Sequence, residues 1–226
     1  MTHPMAFLGI LMLDTRFPRP LGDIGNPATF EQMQIPVRYR TVQGANPQKV
    51  VRGSAALALQ PFVAAALDLV EQGASMLSTS CGFLARYQRE LQAAVPVPVI
   101  SSSLLWLSSP ELSGERCAVL TIDAQALDAH QLAGVGADSA TPVGGVAPGC
   151  EFQRRLLGNE PTMDLRQAGQ DVVAGALALV KTHPEVTTLV LECTNMPPYA
   201  RAVAAATGRR VEHIVSLLEK RWRAAA

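Results

Sequence analysis

The sequence predicts an α/β protein of two similar three-layer units with mainly parallel sheets, and three observations support this. Short apolar runs alternate with helical periodicities along the 226 residues. The alternation restarts near residue 117, so one cycle follows another. Each cycle carries a cysteine among small residues just past an apolar run, Ser80-Cys81-Gly82 and Glu192-Cys193-Thr194, 112 positions apart (193 minus 81). Alternation implies a parallel sheet because a parallel crossover needs a long connection, which a helix usually supplies.

In chain order, apolar strands are predicted at Phe7–Leu13, Val37–Val42, 75–79 and 97–101. The clearest helical pattern, 48–72, includes Val50, Val51, Ala55, Leu57, Leu59, Val63, Leu67 and Val70; Gly53 and Pro61 kink or divide it, and Gly73 closes it. The second cycle is read as a strand at Cys117–Thr121, a helix at 123–132, a short strand at 140–146 and a long amphipathic helix at 164–182. A last strand at 187–191 and a helix at 197–207 that Gly208 ends complete it. Residues 211–222 place Val211, Ile214, Val215, Leu218 and Trp222 on one helical face. The expected boundaries are a first unit at 1–103, a second at 104–210, and a C-terminal helix at 211–226 that packs back on the first unit or helps form a homodimer.

Composition narrows the function. The formal charge is zero, with Lys+Arg 19 against Asp+Glu 19, and there is no basic cluster, so neither nucleic acid nor an anionic membrane is an expected partner. No apolar run approaches the roughly 20 residues of a membrane-spanning helix, and residues 1–4 do not resemble a signal peptide, so a cytoplasmic location is expected. His3, His130, His183 and His213 have no metal-ligand spacing, and no metal is expected. The three lysines sit at no strand-to-helix turn and no GxGxxG follows the first strand, which disfavours pyridoxal phosphate and dinucleotide chemistry; no cofactor is expected.

The four cysteines, at 81, 117, 150 and 193, have no paired spacing and are expected to be free thiols. Cys117 lies inside an apolar run and reads as filler, and Cys150 reads as a loop thiol. Cys81 and Cys193 differ because they stand at equivalent carboxyl-end positions, where open α/β sheets bind ligands. A thiol at a helix start feels the positive end of the dipole, which favours thiolate, and the same N–H groups can hold a carboxylate. One such thiol on each face of a carbon acid could invert its stereocentre by removing a proton on one side and delivering one on the other. Ser78, Thr79, Ser80, Thr194 and Asn195 are candidate donors to the developing charge.

The motifs Thr79-Ser80-Cys81-Gly82-Phe83 and Glu192-Cys193-Thr194-Asn195-Met196-Pro197 resemble the two cysteine motifs of the aspartate/glutamate racemase superfamily, which includes hydantoin racemase, maleate isomerase and arylmalonate decarboxylase. The resemblance implies two pseudo-twofold-related domains, an active site in the cleft between them and cofactor-independent racemisation of a small carboxylate substrate, with Cys81 and Cys193 as the two bases. A maleate-type isomerase and a carboxylate-binding relative without turnover are the alternatives. It also implies substrate-binding roles for Asp14, Thr15, Thr79, Ser80, Gly82, Thr121, Thr194 and Asn195. Two departures weigh against glutamate as substrate: Asn195 stands where glutamate racemases usually carry histidine, and Glu192 stands where glycine is common. Arg16 or Arg19, in the proline-stiffened segment after the first strand, could pair with a distal substrate carboxylate.

Overall fold

The computed structural model describes residues 6–53 and 59–225. Its first sheet joins β1 (Phe7–Leu13), β2 (Val37–Val42), β3 (Ala74–Thr79) and β4 (Val99–Ile100), all parallel, in the order β2-β1-β3-β4. The second joins β5 (Cys117–Thr121), β6 (Val143–Gly145), β7 (Thr188–Leu191) and β8 (Arg210–His213), again all parallel, in the order β6-β5-β7-β8. The two orders are the same pattern, so the repeat in the sequence is a repeat of topology. The described α-helices are α1 (Pro27–Glu31), α2 (Pro47–Arg52), α3 (Gln60–Glu71), α4 (Gln88–Ala94), α5 (Ala129–Gly134), α6 (Glu151–Leu157), α7 (Leu165–Thr182), α8 (Ala200–Thr207) and α9 (Ile214–Ala225), with short 3₁₀ helices between some of them.

Every residue of β1 and β7 is buried, as central strands of a sheet covered on both faces must be. The period-2 geometry of β1 sends Phe7, Leu11 and Leu13 into one apolar cluster and Leu8, Ile10 and Met12 into another. The second cluster is closed by Ile214, Val215, Leu217 and Leu218 of α9 and includes Val190 of β7. Each of these side chains contributes roughly 1.5–3 kcal/mol on burial, so α9 is held by its own apolar face in a cluster that residues of both sheets share.

Several boundaries move for physical reasons. The 48–72 pattern is two helices: Gly53 caps α2, and Pro61 occupies the first turn of α3, where its missing N–H costs nothing; the intervening Ala55 and Leu57 lie outside the described residues. The helix predicted at 123–132 begins only at Ala129, because Asp128 and Gln131 form a reciprocal capping box there. Cys150, read as a loop thiol, stands at the N-cap of α6, a helix the sequence pattern did not predict. Residues 210–213 are strand rather than helix, since pairing with β7 satisfies their main chain.

Candidate active site

Both sheets reverse direction of growth between their first and third strands, at β1/β3 and at β5/β7. The loops leaving such a pair part and leave a crevice at the carboxyl edge. One narrow cleft, with free space of about 30 Å³, occupies this place in both halves at once. Leu13 and Phe17 follow β1, Ser80, Cys81 and Gly82 follow β3, Ile122 follows β5, and Cys193, Thr194 and Asn195 follow β7; Pro47, Val51, Leu156 and Leu157 close the sides. The walls are mostly apolar and include no cationic side chain.

The two cysteine turns mirror each other. The main-chain N–H of Phe83 favours the charged form of Cys81 and that of Asn195 the charged form of Cys193, each two residues beyond its thiol. Thr194 Oγ1 donates to the Ser80 carbonyl at 2.7 Å, joining one turn to the other. Ser80 Oγ accepts from the Leu13 N–H at 2.8 Å, tying the β3 turn to the end of β1.

The thiols differ from expectation. Burial, then the Glu192 carboxylate, pushes Cys81 up to about 12, against the weaker opposing pull of the Phe83 N–H and Arg19. Cys193 is pushed well above its ordinary 9 by burial and Glu192, with Cys81 and Asp23 adding to the shift. The dipole argument fails here because Cys81 is followed by a six-residue 3₁₀ helix, Gly82–Tyr87, and Cys193 by a turn and a three-residue 3₁₀ helix, Pro197–Tyr199. Neither stacks enough aligned peptides to outweigh desolvation.

Glu192 is the source of that negative field. It is fully buried, Thr121 Oγ1 donates to its Oε2 at 2.6 Å, and its Oε1 has no partner. Burial raises its pKa from 4.5 to about 7, against the Thr121 hydrogen bond. It does not line the cleft; Gly82 does, and packs directly on the carboxyl.

The other expected binding residues divide. Ser80, Gly82, Thr194 and Asn195 line the cleft with the two cysteines. Thr79 stands behind it, its Oγ1 2.7 Å from the Ser101 carbonyl and 2.9 Å from that of Cys81, so it braces the turn. Thr121 is committed to Glu192. Asp14 accepts from the Gly44 N–H at 3.1 Å and Thr15 from Arg19 at 2.8 Å, and neither reaches the cleft wall. Arg19 is also bound to Asp23 at 2.8 Å, and the Arg16 side chain is exposed, so neither serves as the carboxylate clamp expected of them.

Sequence reasoning missed Asp23. This carboxylate is 1% exposed and accepts from Arg19, from the Gly25 N–H at 2.7 Å and from Asn195 Nδ2 at 2.7 Å, while Asn195 Oδ1 stands 3.7 Å from Cys193 Sγ. The proline-rich run between Pro18 and Asp23 was its only signal. No group of three or more His, Cys, Asp or Glu among the described residues is placed to hold a metal, and no described helix is long and apolar enough to cross a membrane.

This architecture of two parallel α/β halves is the fold of solved arylmalonate decarboxylase and aspartate and glutamate racemases. Unliganded arylmalonate decarboxylase superposes with a TM-score of 0.57 at 15% identity, over 98% of this chain and 92% of that one. A glutamate racemase isoform from Bacillus anthracis gives 0.57 at 16%, over 99% and 84%, and the Picrophilus torridus aspartate racemase 0.56 at 13%, over 91% and 88%. No family model matches the sequence. By sequence the chain is similar to a dimethylsulfoniopropionate lyase of Durusdinium sp. clade D, 29% identical over 213 residues, 90% of this chain and 69% of that protein. It is also similar to dimethylsulfoniopropionate lyase 3 of Emiliania huxleyi (strain CCMP1516), 29% identical over 223 residues, 91% of this chain but only 55% of the relative's length. These relatives are lyases, which overturns the isomerase expected from the motifs: the two-base racemase and its alternatives give way. A shared fold does not fix the reaction, since one fold hosts many unrelated activities.

Proposed function

We propose that this chain is a carbon–sulfur lyase that eliminates a neutral sulfide from a small sulfonium carboxylate of the dimethylsulfoniopropionate type. The observation that carries this reading, beside the lyase relatives, is a small cleft with apolar walls and two facing thiols. A cysteine thiolate removes a proton from the carbon next to the carboxylate. The electron pair becomes the carbon–carbon double bond, the carbon–sulfur bond breaks towards sulfur, and dimethyl sulfide and acrylate result.

Apolar walls suit this chemistry. A thiolate and a sulfonium react to give a neutral thiol and a neutral sulfide, and a step that extinguishes opposite charges is favoured where few dipoles solvate them. The substrate carboxylate needs donors, which the main-chain N–H groups of the turns after Cys81 and Cys193 can supply, with Ser80, Thr194 and Asn195 alongside. Elimination takes one proton from one face, so the two thiols need not be equivalent. Asn195, anchored by Asp23, holds the proton side of Cys193 and distinguishes it from Cys81.

The test is to incubate the purified protein with dimethylsulfoniopropionate, following dimethyl sulfide in the headspace and acrylate by NMR. Equal release of both, lost in Cys81→Ala or Cys193→Ala, is the expected result. No sulfide from this or other β-sulfonium carboxylates overturns the reading.

A further inference from the structure

The chemistry above leaves one difficulty. Each thiol is protonated at rest, and a thiol held at about 12 cannot shed an abstracted proton to neutral water. One buried group near enough to act on the charge of both remains unused. Glu192 directly precedes Cys193, packs against the glycine that follows Cys81, and bears on the charge of both thiols.

We propose that Glu192 is the proton-release group of this site: its carboxyl exchanges charge with a cysteine, so that carboxyl and thiol share one negative charge through the cycle. Three observations carry it. Oε1 is buried without a partner, whereas a purely structural carboxylate in such a place normally satisfies both oxygens. Thr121 holds Oε2 and so leaves Oε1 on the side of Gly82. The volume a side chain at 82 would fill is occupied by this carboxyl, so one glycine stands between Glu192 and the cleft.

The charges balance as follows. At rest Glu192 is ionised and the thiol protonated. The thiol proton moves to Glu192, leaving thiolate. Thiolate takes the substrate's α proton as the sulfide departs with the carbon–sulfur pair, which leaves both groups protonated. Glu192 then gives its proton to water, and the resting state returns. Its pKa of about 7 suits release at neutral pH. The charged groups around this exchange are Cys81 beyond β3, Cys193 beyond β7, and Arg19 and Asp23 of the loop after β1.

This inference rests on the lyase reading, and the experiment separates the two. In the wild-type protein an infrared carboxyl band should disappear as pH rises through about 7 and be missing from Glu192→Gln, with or without substrate. Elimination should rise with pH across the same range. Glu192→Gln should lose roughly 100-fold or more at neutral pH, the scale of a lost acid–base group, and its residual rate should climb only in the thiol range. Thr121→Val keeps the carboxyl but removes the hydrogen bond that favours its charge, so band and rate profile should both move to higher pH. A Glu192→Gln enzyme with the wild-type pH profile, or a carboxyl band that does not titrate near neutrality, overturns the inference. A titrating band in a protein that releases no sulfide overturns the lyase reading alone.

Discussion

Gly82 and Glu192 compete for one volume: a Cβ at position 82 would lie 2.8 Å from the Glu192 Cδ and closer still to its Oε1 and main-chain oxygen. The main-chain contact cannot be relieved by a rotamer change. Gly82→Ala should therefore destabilise the protein by about 1–3 kcal/mol, the usual range for overpacking, read as a lower urea midpoint. Gly82→Ala should also distort the Cys81 turn, so elimination falls in the fraction that stays folded.

The buried carboxyl also sets how stability depends on pH. Glu192 ionises near 4.5 in the unfolded chain but near 7 when folded, so its contribution is full below 4.5 and is lost as pH rises to about 7. The loss amounts to about 3 kcal/mol. His213 opposes it: burial lowers this imidazole from 6.5 to about 4, and its contribution is present above 6.5 and lost as pH falls towards 4. Urea unfolding of the wild type should show the two slopes offsetting between 4.5 and 6.5. In Glu192→Gln the His213 slope should stand alone, with stability rising across that interval; a profile unchanged by the substitution would refute the assignment.

Replacing each thiol separates their roles. In deuterated water, the variant lacking the abstracting base should lose both sulfide release and α-hydrogen exchange, by roughly 10²–10⁴-fold. The other should keep measurable exchange. Loss of both activities in both variants, with folding intact, would show that the thiols act as one unit.

Asp23 should matter more to stability than any exposed ion pair. Asp23→Ala removes the partner of Arg19, Gly25 and Asn195 together and leaves a largely buried guanidinium uncompensated. Breaking such a pair costs about 3–5 kcal/mol, measurable as a fall in Tm. Asn195→Ala should be milder in stability yet still lower the elimination rate, since it frees the Cys193 thiol from its side-chain acceptor.

Arg52 offers the contrasting case. Its 2.6 Å pair with Asp123 links α2 to the loop beyond β5, but the arginine is 45% exposed. Arg52→Ala should cost less than about 1 kcal/mol and become neutral at high salt. Because α2 carries Pro47 and Val51 to the cleft wall, the larger effect should appear as a raised KM for the proposed sulfonium substrate.

Local pattern alone determined much of this protein. Continuous apolar runs located Phe7–Leu13 and Cys117–Thr121 to the residue, because a strand buried on both faces leaves little polar interruption in the sequence; Val37–Val42 was located as well, although it is an edge strand with Arg38, Arg40 and Thr41 exposed. The same logic placed Cys81 and Cys193 at matched strand ends and indicated a fold that the structure shares with racemases and arylmalonate decarboxylase. What tertiary structure decided was charge and partnership. Nothing within a few residues of Glu192 reveals that it is buried against Gly82 and bound to Thr121, 71 positions away, nor that Asp23 reaches Asn195 across 172 positions. Thiol acidity followed the same rule: the helix-start pattern pointed to thiolate, but desolvation and a neighbouring carboxylate are sums over three-dimensional surroundings. Whether a removed proton returns to the carbon or a sulfide leaves depends on the molecule the cleft admits. Its walls come from α2, α6 and loops of both halves that meet only when the chain folds.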